Sequence, residues 1–378
     1  MASIHDILRP RVVARLVSQI AATTNSVLNF MGMQPGGPNE YVVGGRSGTF
    51  EVFNNVRTAG WGRAPGTAAA NRARNSVGRV PFTFPRHHEA VYLLAEEIHN
   101  FARLGVSDAA RDEMGADYLK KQMVPPAQRL GNWRTALVVG MLRDSLYLHT
   151  QGDVWYPSYT SSGNLAQINY QMPAGNKSQL DMLGDGDIID VSWDNAGANI
   201  PKHLLDIDAA FQELWGGRLE HVHCTSTIWN HVVTNDYVAA GAGIANTPFE
   251  TFKRKIGEGP DGRPINEKIG TIRAVPYVEF HISDSGLEIG APGSETYTKH
   301  WEDTAAVFMG DPTNQNFEML LGSEPIAEYE NAPQVVKVGA DSWTKTSFNP
   351  TGWEMFTLDN ALPCNYIPKS VAYGTVVF

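Results

Sequence analysis

His221-Val222-His223-Cys224, followed by His231, are the strongest candidate metal ligands in the sequence. Alternate residues of a strand share a face, so His221 and His223 could both turn toward one ion. No carboxylate follows at a regular interval, and a structural zinc site normally shows two recognisable ligand pairs. The residues alone therefore favour two histidines on the polar side of a strand that leads into a helix, and no metal is assigned. Asp181, Asp185, Asp187 and Asp190, with Gly184 and Gly186, resemble a calcium loop only loosely. An EF-hand needs oxygens at alternating positions, a central glycine and a closing glutamate, whereas Asp-Gly-Asp before a strand is turn chemistry. His87-His88-Glu89 and His99 bring no paired acid at ligand spacing, and Glu96 and Glu97 read as a solvated helix face. Gly44-Gly45-Arg46-Ser47-Gly48 lacks the lysine and the following helix of a phosphate loop, and no dinucleotide fingerprint or nucleophile elbow occurs. The expectation is a protein with no catalytic centre, no cofactor and no metal. A metal-dependent enzyme built on His221 and His223 is kept as a rival.

Charge gives the first positive clue. The chain has 378 residues and a net charge of -10, which argues against a surface that grips nucleic acid throughout. Between Tyr41 and Val80 six arginines (Arg46, Arg57, Arg63, Arg72, Arg74, Arg79) face one acid, Glu51, so this window is +5 and the rest of the chain -15. The window is rich in Gly, Ala and Asn and is flanked by strand-like runs, Thr49–Val56 and Gly78–Phe84. A projecting β-hairpin with a basic tip fits, and a long loop without a core of its own is functional or disordered. Arg57, Arg63, Arg72 and Arg74 are the candidates for contact with an acidic neighbouring subunit. Cys224 and Cys364 are too few for a disulfide scaffold and read as buried apolar residues of a reducing compartment. No run approaches the ~18 apolar residues of a membrane span, and no signal peptide is expected.

The elements that would position these residues follow from periodicity. Ser3–Val17 reads as a short amphipathic arm, broken at Pro10, that needs a partner, and Met33–Asn39 as a turn-rich hinge. Ser3–Asn39 is expected to pack mostly on other subunits or to stay poorly ordered in the isolated chain. Glu89–Leu104 has helical spacing and ends at Gly105. A long helix is predicted from Asp108 to about His149, kinked or split at Pro125 and Pro126. Asp153–Met172 alternates as strands. From Asp187 the texture becomes alternating β and α: a strand at Asp187–Trp193, a helix Pro201–Trp215 capped by Asn199, a strand Leu219–Thr225, and a helix opened by Ser226. Strands return at Ile269–Ser283, Thr304–Met309, Pro333–Val338 and Ser370–Phe378.

Three stretches carry a resemblance. Gln128-Arg-Leu-Gly-Asn-Trp-Arg-Thr-Ala-Leu-Val-Val-Gly140, Ile189-Asp-Val-Ser-Trp-Asp-Asn-Ala-Gly-Ala-Asn-Ile200 and Trp229-Asn-His-Val-Val-Thr-Asn235 are similar to segments of the lambda-type major capsid proteins of tailed phages, the capsid protein E family. The resemblance implies an α+β subunit of the Hong Kong 97-type capsid fold. It implies an N-terminal arm at 1–40, an extended hairpin loop at 41–85, a peripheral β platform with its spine helix at 86–186, an inserted α/β axial lobe at 187–324, and a return to the platform at 325–378. The function implied is a coat protein that self-assembles through pentamers and hexamers into the icosahedral shell around double-stranded DNA. The location implied is the virion, with the host cytoplasm during assembly. The partners implied are further copies of the chain, a portal, a decoration protein and packaged DNA in non-specific contact, with no membrane. The short stretch before the hairpin suggests a separate scaffolding protein. An encapsulin-like cellular nanocompartment is the alternative on the same fold.

Overall fold

The computed structural model describes residues 26–53, 77–94, 108–144, 146–151, 154–159, 166–240, 248–258, 264–291, 293–312, 316–327, 334–348 and 351–378. The arm Ser3–Val17, the four arginines Arg57, Arg63, Arg72 and Arg74, and Glu96, Glu97, His99 and Gly105 lie outside these residues.

The first described element is the helix α1 (Ser26–Met31). Leu28 and Met31 are fully buried in the chain's own core, together with Val27 and Met33. The described part of the segment up to Asn39, residues 26–39, thus packs in the chain's own core and not on another subunit; the rest of the segment lies outside the described residues. The hinge turns through Gly36 at φ +76°, a left-handed backbone that suits glycine, and the Gly37 N–H donates to the Gln34 carbonyl. β1 (Glu40–Val42) follows. β2 (Ser47–Phe53) and β3 (Val77–Thr83) then pair antiparallel from Ser47↔Thr83 to Phe53↔Val77, so the predicted hairpin forms. Its inward residues Phe50, Val52, Val80 and Phe82 are buried.

The helix expected from Glu89 begins instead as a strand, β4 (Arg86–Leu94), paired antiparallel with residues 352–360. Helical spacing was a local signal; a long partner strand overrides it. His88 shows why, since its ring stacks on both Trp343 and Phe356. The long helix α2 (Asp108–Leu142) runs through Pro125 and Pro126 without splitting. It stops at Leu142, not His149. The chain turns at Arg143–Asp144, where Asp144 takes φ +49°, and returns as β5 (Leu146–Gln151), β6 (Val154–Ser158) and β7 (Ala166–Ile168). Gly140 makes this turnback possible: a Cβ there would lie 2.9 Å from Leu146 Cβ.

β8 (Lys177–Ser178) precedes the stretch predicted as a strand at Asp187–Trp193, which is a run of turns and bends. Gly184 and Gly186 hold positive φ there, and the Gly186 N–H donates to Asp181 Oδ1. α3 (Ile200–Leu214) is capped by Asn199, whose Oδ1 accepts from the Lys202 N–H, as predicted. β9 (His221–Cys224), α4 (Ser226–Thr234) and α5 (Asp236–Ala240) follow, with Thr225 capping α4. The remaining strands are β10 (Phe249–Glu258), β11 (Pro264–Ile272), β12 (Val275–Ile282), β13 (Gly286–Ile289), β14 (Thr296–Lys299), β15 (Ala305–Met309), β16 (Phe317–Leu321), β17 (Ser323–Ala327), β18 (Gln334–Val338), β19 (Asp341–Phe348), β20 (Thr351–Asn365) and β21 (Val371–Thr375).

Two sheets organise these pieces. One has the order β1-β16-β20-β19 with β4 also on β20, and α2 packs against it. The other is seven-stranded, β10-β11-β12-β9-β15-β21-β8, with α3 and α4 on one face. Its order departs from the expected division, since β8 and β21 come from outside 187–324: β21 pairs with β15 and β8 is the edge strand beyond it. The class is α+β.

Candidate functional site

The ribbon β2–β3 is a two-stranded sheet of its own among the described residues. Such ribbons are marginal alone in water. Phe50 and Phe82, 6.0 Å apart, anchor its base against Tyr170, and the Phe53 N–H donates to the Tyr366 carbonyl. The flanking arginines are satisfied close by: Arg46 sits 3.0 Å from Glu324, and Arg79 3.6 Å from Glu51. The segment 54–76 between the strands holds Arg57, Arg63, Arg72 and Arg74 and no acid, so it carries +4 in a chain of -10.

The second constellation is histidine-rich. In the parallel pairing of β9 with β12, His221 stands beside Glu279 and His223 beside His281. Val222, Cys224, Phe280 and Ile282 point into the helix-covered core, which leaves the histidines on the opposite face. There they meet Val307 and Met309, the register neighbours of His223 and His221 on β15 and members of the core shared with α1 and α2. The polar-side reading of His221 and His223 is thereby corrected: His223 is 1% exposed and His221 only half-buried at the edge. His231 does not join them; it lies on α4.

The cluster is tightly built. His221 Nδ1 and His281 Nε2 share a hydrogen bond of 3.0 Å, and Glu279 Oε2 lies 3.8 Å from His221 Nδ1. Glu279 is held by Arg254, and that contact keeps its carboxyl below the usual range against the opposing effect of burial. Glu267, on β11, is buried, with Oε2 3.1 Å from His281 Nδ1. Phe30 of α1 covers all three rings at 4.9, 5.0 and 4.5 Å for His221, His223 and His281, and Trp301 lies 5.3 Å from His223. Burial, then His281, pushes His221 down to about 4; burial, then His281 and His221, holds His223 well below the usual histidine range. Both rings are therefore neutral at pH 7 and able to offer a lone pair. Sequence reasoning missed Glu267, Glu279 and His281 because pairing across some sixty residues assembles them. The available signal was Glu279-Phe280-His281, which repeats the polar-apolar-polar alternation of His221-Val222-His223.

Other candidates stay apart. Of the four aspartates, Asp190 binds His203 at 3.0 Å and Asp181 closes its own turn, and they form no ligand group among the described residues. His87 lies 5.7 Å from Trp133 with its pKa lowered by burial. An open cleft between α2 and the β13–β14 hairpin is lined by His87, Arg129, Trp133, Tyr156, Leu287 and Tyr297, but Arg129 is already paired with Glu89. Cys224 and Cys364 are free and buried, and burial pushes Cys364 up to about 12, so neither is an activated thiol. No helix among the described residues is long and apolar enough to cross a membrane.

No protein-family model matches the chain, and no curated protein matches it by sequence. Solved structures do. A phage-related protein from Bordetella bronchiseptica RB50 is similar at 10% identity and a TM-score of 0.45, over 96% of both chains. The mature capsid of bacteriophage PhiM1 is similar at 10% identity and a TM-score of 0.41, over 89% of this chain and 85% of that one. The holo-SrpI encapsulin complex from Synechococcus elongatus PCC 7942 gives the same identity, TM-score and shares.

Proposed function

We propose that this chain is a shell-forming subunit, the major capsid protein of a tailed phage, which assembles through five- and six-fold clusters around double-stranded DNA. The observation that carries the reading is the anchored hairpin. Its base is fixed in the core by Phe50, Val52, Val80 and Phe82, its flanking arginines are neutralised at home, and its 54–76 segment carries four arginines without an acid. A basic segment on a fixed base suits docking on an acidic neighbour, where charge complementarity sets register and partner choice. Heterologous contacts that close generate rings, and many weak copies around a shell add up to avidity. The sequence resemblance to the capsid protein E family supports the same reading. In it the chain acts as structure and not as a catalyst, resides in the virion, and works with a separate scaffolding protein and a portal.

Negative-stain electron microscopy of the purified full chain tests this. Closed shells are expected; a stable monomer at high concentration contradicts the reading. An encapsulin-like compartment would also give shells, and the neighbouring genes separate the two: portal and terminase genes for a phage, an enzyme or ferritin-like cargo gene for a compartment.

A further inference from the structure

We propose that His223, His281 and Glu267 form a binding site for one divalent transition-metal ion, of which zinc is the best-suited representative, clamping β9, β11 and β12 together beneath α1. Each of the three residues is buried and offers one ligand atom, and these atoms lie within 4.8 Å of one another. The same three residues hold unpartnered buried atoms: His223 Nε2, His281 Nδ1 and Glu267 Oε2 each lack a hydrogen-bond partner. Glu267 Oε2 and His281 Nδ1 are 3.1 Å apart, yet the pair is out of line for a hydrogen bond. Buried polar atoms are almost always satisfied, and a group of three that converges on one point is explained by a cation at that point.

The donor set selects the ion. Two imidazoles and one carboxylate suit zinc and its first-row neighbours, whereas calcium and magnesium prefer oxygen alone. The outer residues complete the arrangement. A ligating histidine usually engages its second nitrogen in a fixing hydrogen bond, and His281 Nε2 is engaged by His221 Nδ1 at 3.0 Å. His221 lies 3.8 Å from Glu279, which Arg254 holds in place. Phe30 and Trp301 roof the cluster, so the site has no open face for a substrate and its role is structural. The site is independent of the shell proposal: either can fail without the other.

The test uses the full-length chain, purified without a histidine tag, stripped with chelator and titrated with zinc alone. Elemental analysis and thermal unfolding are the readouts. Wild type is expected to retain one zinc per chain through gel filtration and to unfold at a higher temperature with zinc than without. Glu267→Gln and His223→Asn should bind at least tenfold more weakly and lose the zinc-dependent shift, while His231→Gln, on α4, behaves as wild type. Cobalt titration of wild type, read by its visible absorption, needs no variant: a visible band that saturates at one cobalt per chain is expected. Folded wild type that takes up no zinc, or folded Glu267→Gln and His223→Asn that bind it as tightly as wild type, overturns the proposal.

Discussion

Arg134 and Asp359 form a fully buried bidentate ion pair: Arg134 Nε lies 2.6 Å from Asp359 Oδ2, and Nη2 lies 3.0 Å from Oδ1. The same guanidinium donates to the Met33 carbonyl at 3.2 Å and binds Glu40. One side chain thus ties the long helix to β20, the strand that pairs with β16, β19 and β4, and to the segment that follows α1. Burial alone would lower the arginine's pKa; Asp359 and then Glu40 reverse that and hold it raised, so the charge is permanent. Removing one partner leaves a buried charge uncompensated. Asp359→Asn should destabilise the subunit by about 3–5 kcal/mol in urea unfolding. Arg134→Met combined with Asp359→Leu should cost clearly less than the two single changes summed.

Gly140 supports the turnback from α2 to β5. An added methyl group would lie 2.9 Å from Leu146 Cβ and 3.2 Å from its Cα, and the backbone cannot step aside cheaply. Gly140→Ala should cost about 1–3 kcal/mol by overpacking, although alanine is the better helix former. Gly44, with nothing within 4 Å of an added Cβ, is the control, and Gly44→Ala should stay within about 0.5 kcal/mol.

Acid should loosen the subunit through its buried histidines, and His300 is the cleanest case. Burial, then Arg143, pushes its pKa down to about 4 from 6.5. A depressed histidine pKa means the unfolded chain takes up the proton first. The stability contribution is therefore complete above pH ~6.5 and is lost as pH falls toward ~4, by roughly 3 kcal/mol in all at ~1.4 kcal/mol per unit. Chemical unfolding between pH 7 and 4.5 should show this fall. His300→Gln, which does not titrate, should have a shallower slope; an unchanged slope would mean His300 is not the source.

Much of the fold was legible because its signals are local. Asn199 before Pro201 declared the α3 cap, Ser226 the start of α4, and the basic Gly/Ala-rich window between two apolar strands declared the hairpin. What failed was set by distant partners. Glu89–Leu104 reads as a helix until β20 is placed beside its first residues, and Asp187–Trp193 reads as a strand although Gly184 and Gly186 turn the chain ahead of it. Helical apolar spacing continued past Leu142 into what is β5, because periodicity carries no information about the clash at Gly140 that turns the chain. The histidine cluster was half legible: His221 and His223 stood out, but Glu267 and His281 arrive only through sheet order, which no local pattern encodes.

In the proposed shell the basic 54–76 segment joins one subunit to the next. Exposed arginine–carboxylate pairs contribute roughly 0.2–1 kcal/mol each and weaken with salt, so a single substitution should do little. The decisive measurement is electron microscopy of the chain with Arg57, Arg63, Arg72 and Arg74 all changed to glutamate, beside wild type, with circular dichroism confirming that both are folded. Folded subunits that form no shells are predicted. Normal shells from the charge-reversed chain would contradict the account and assign those arginines to another task, such as contact with packaged DNA.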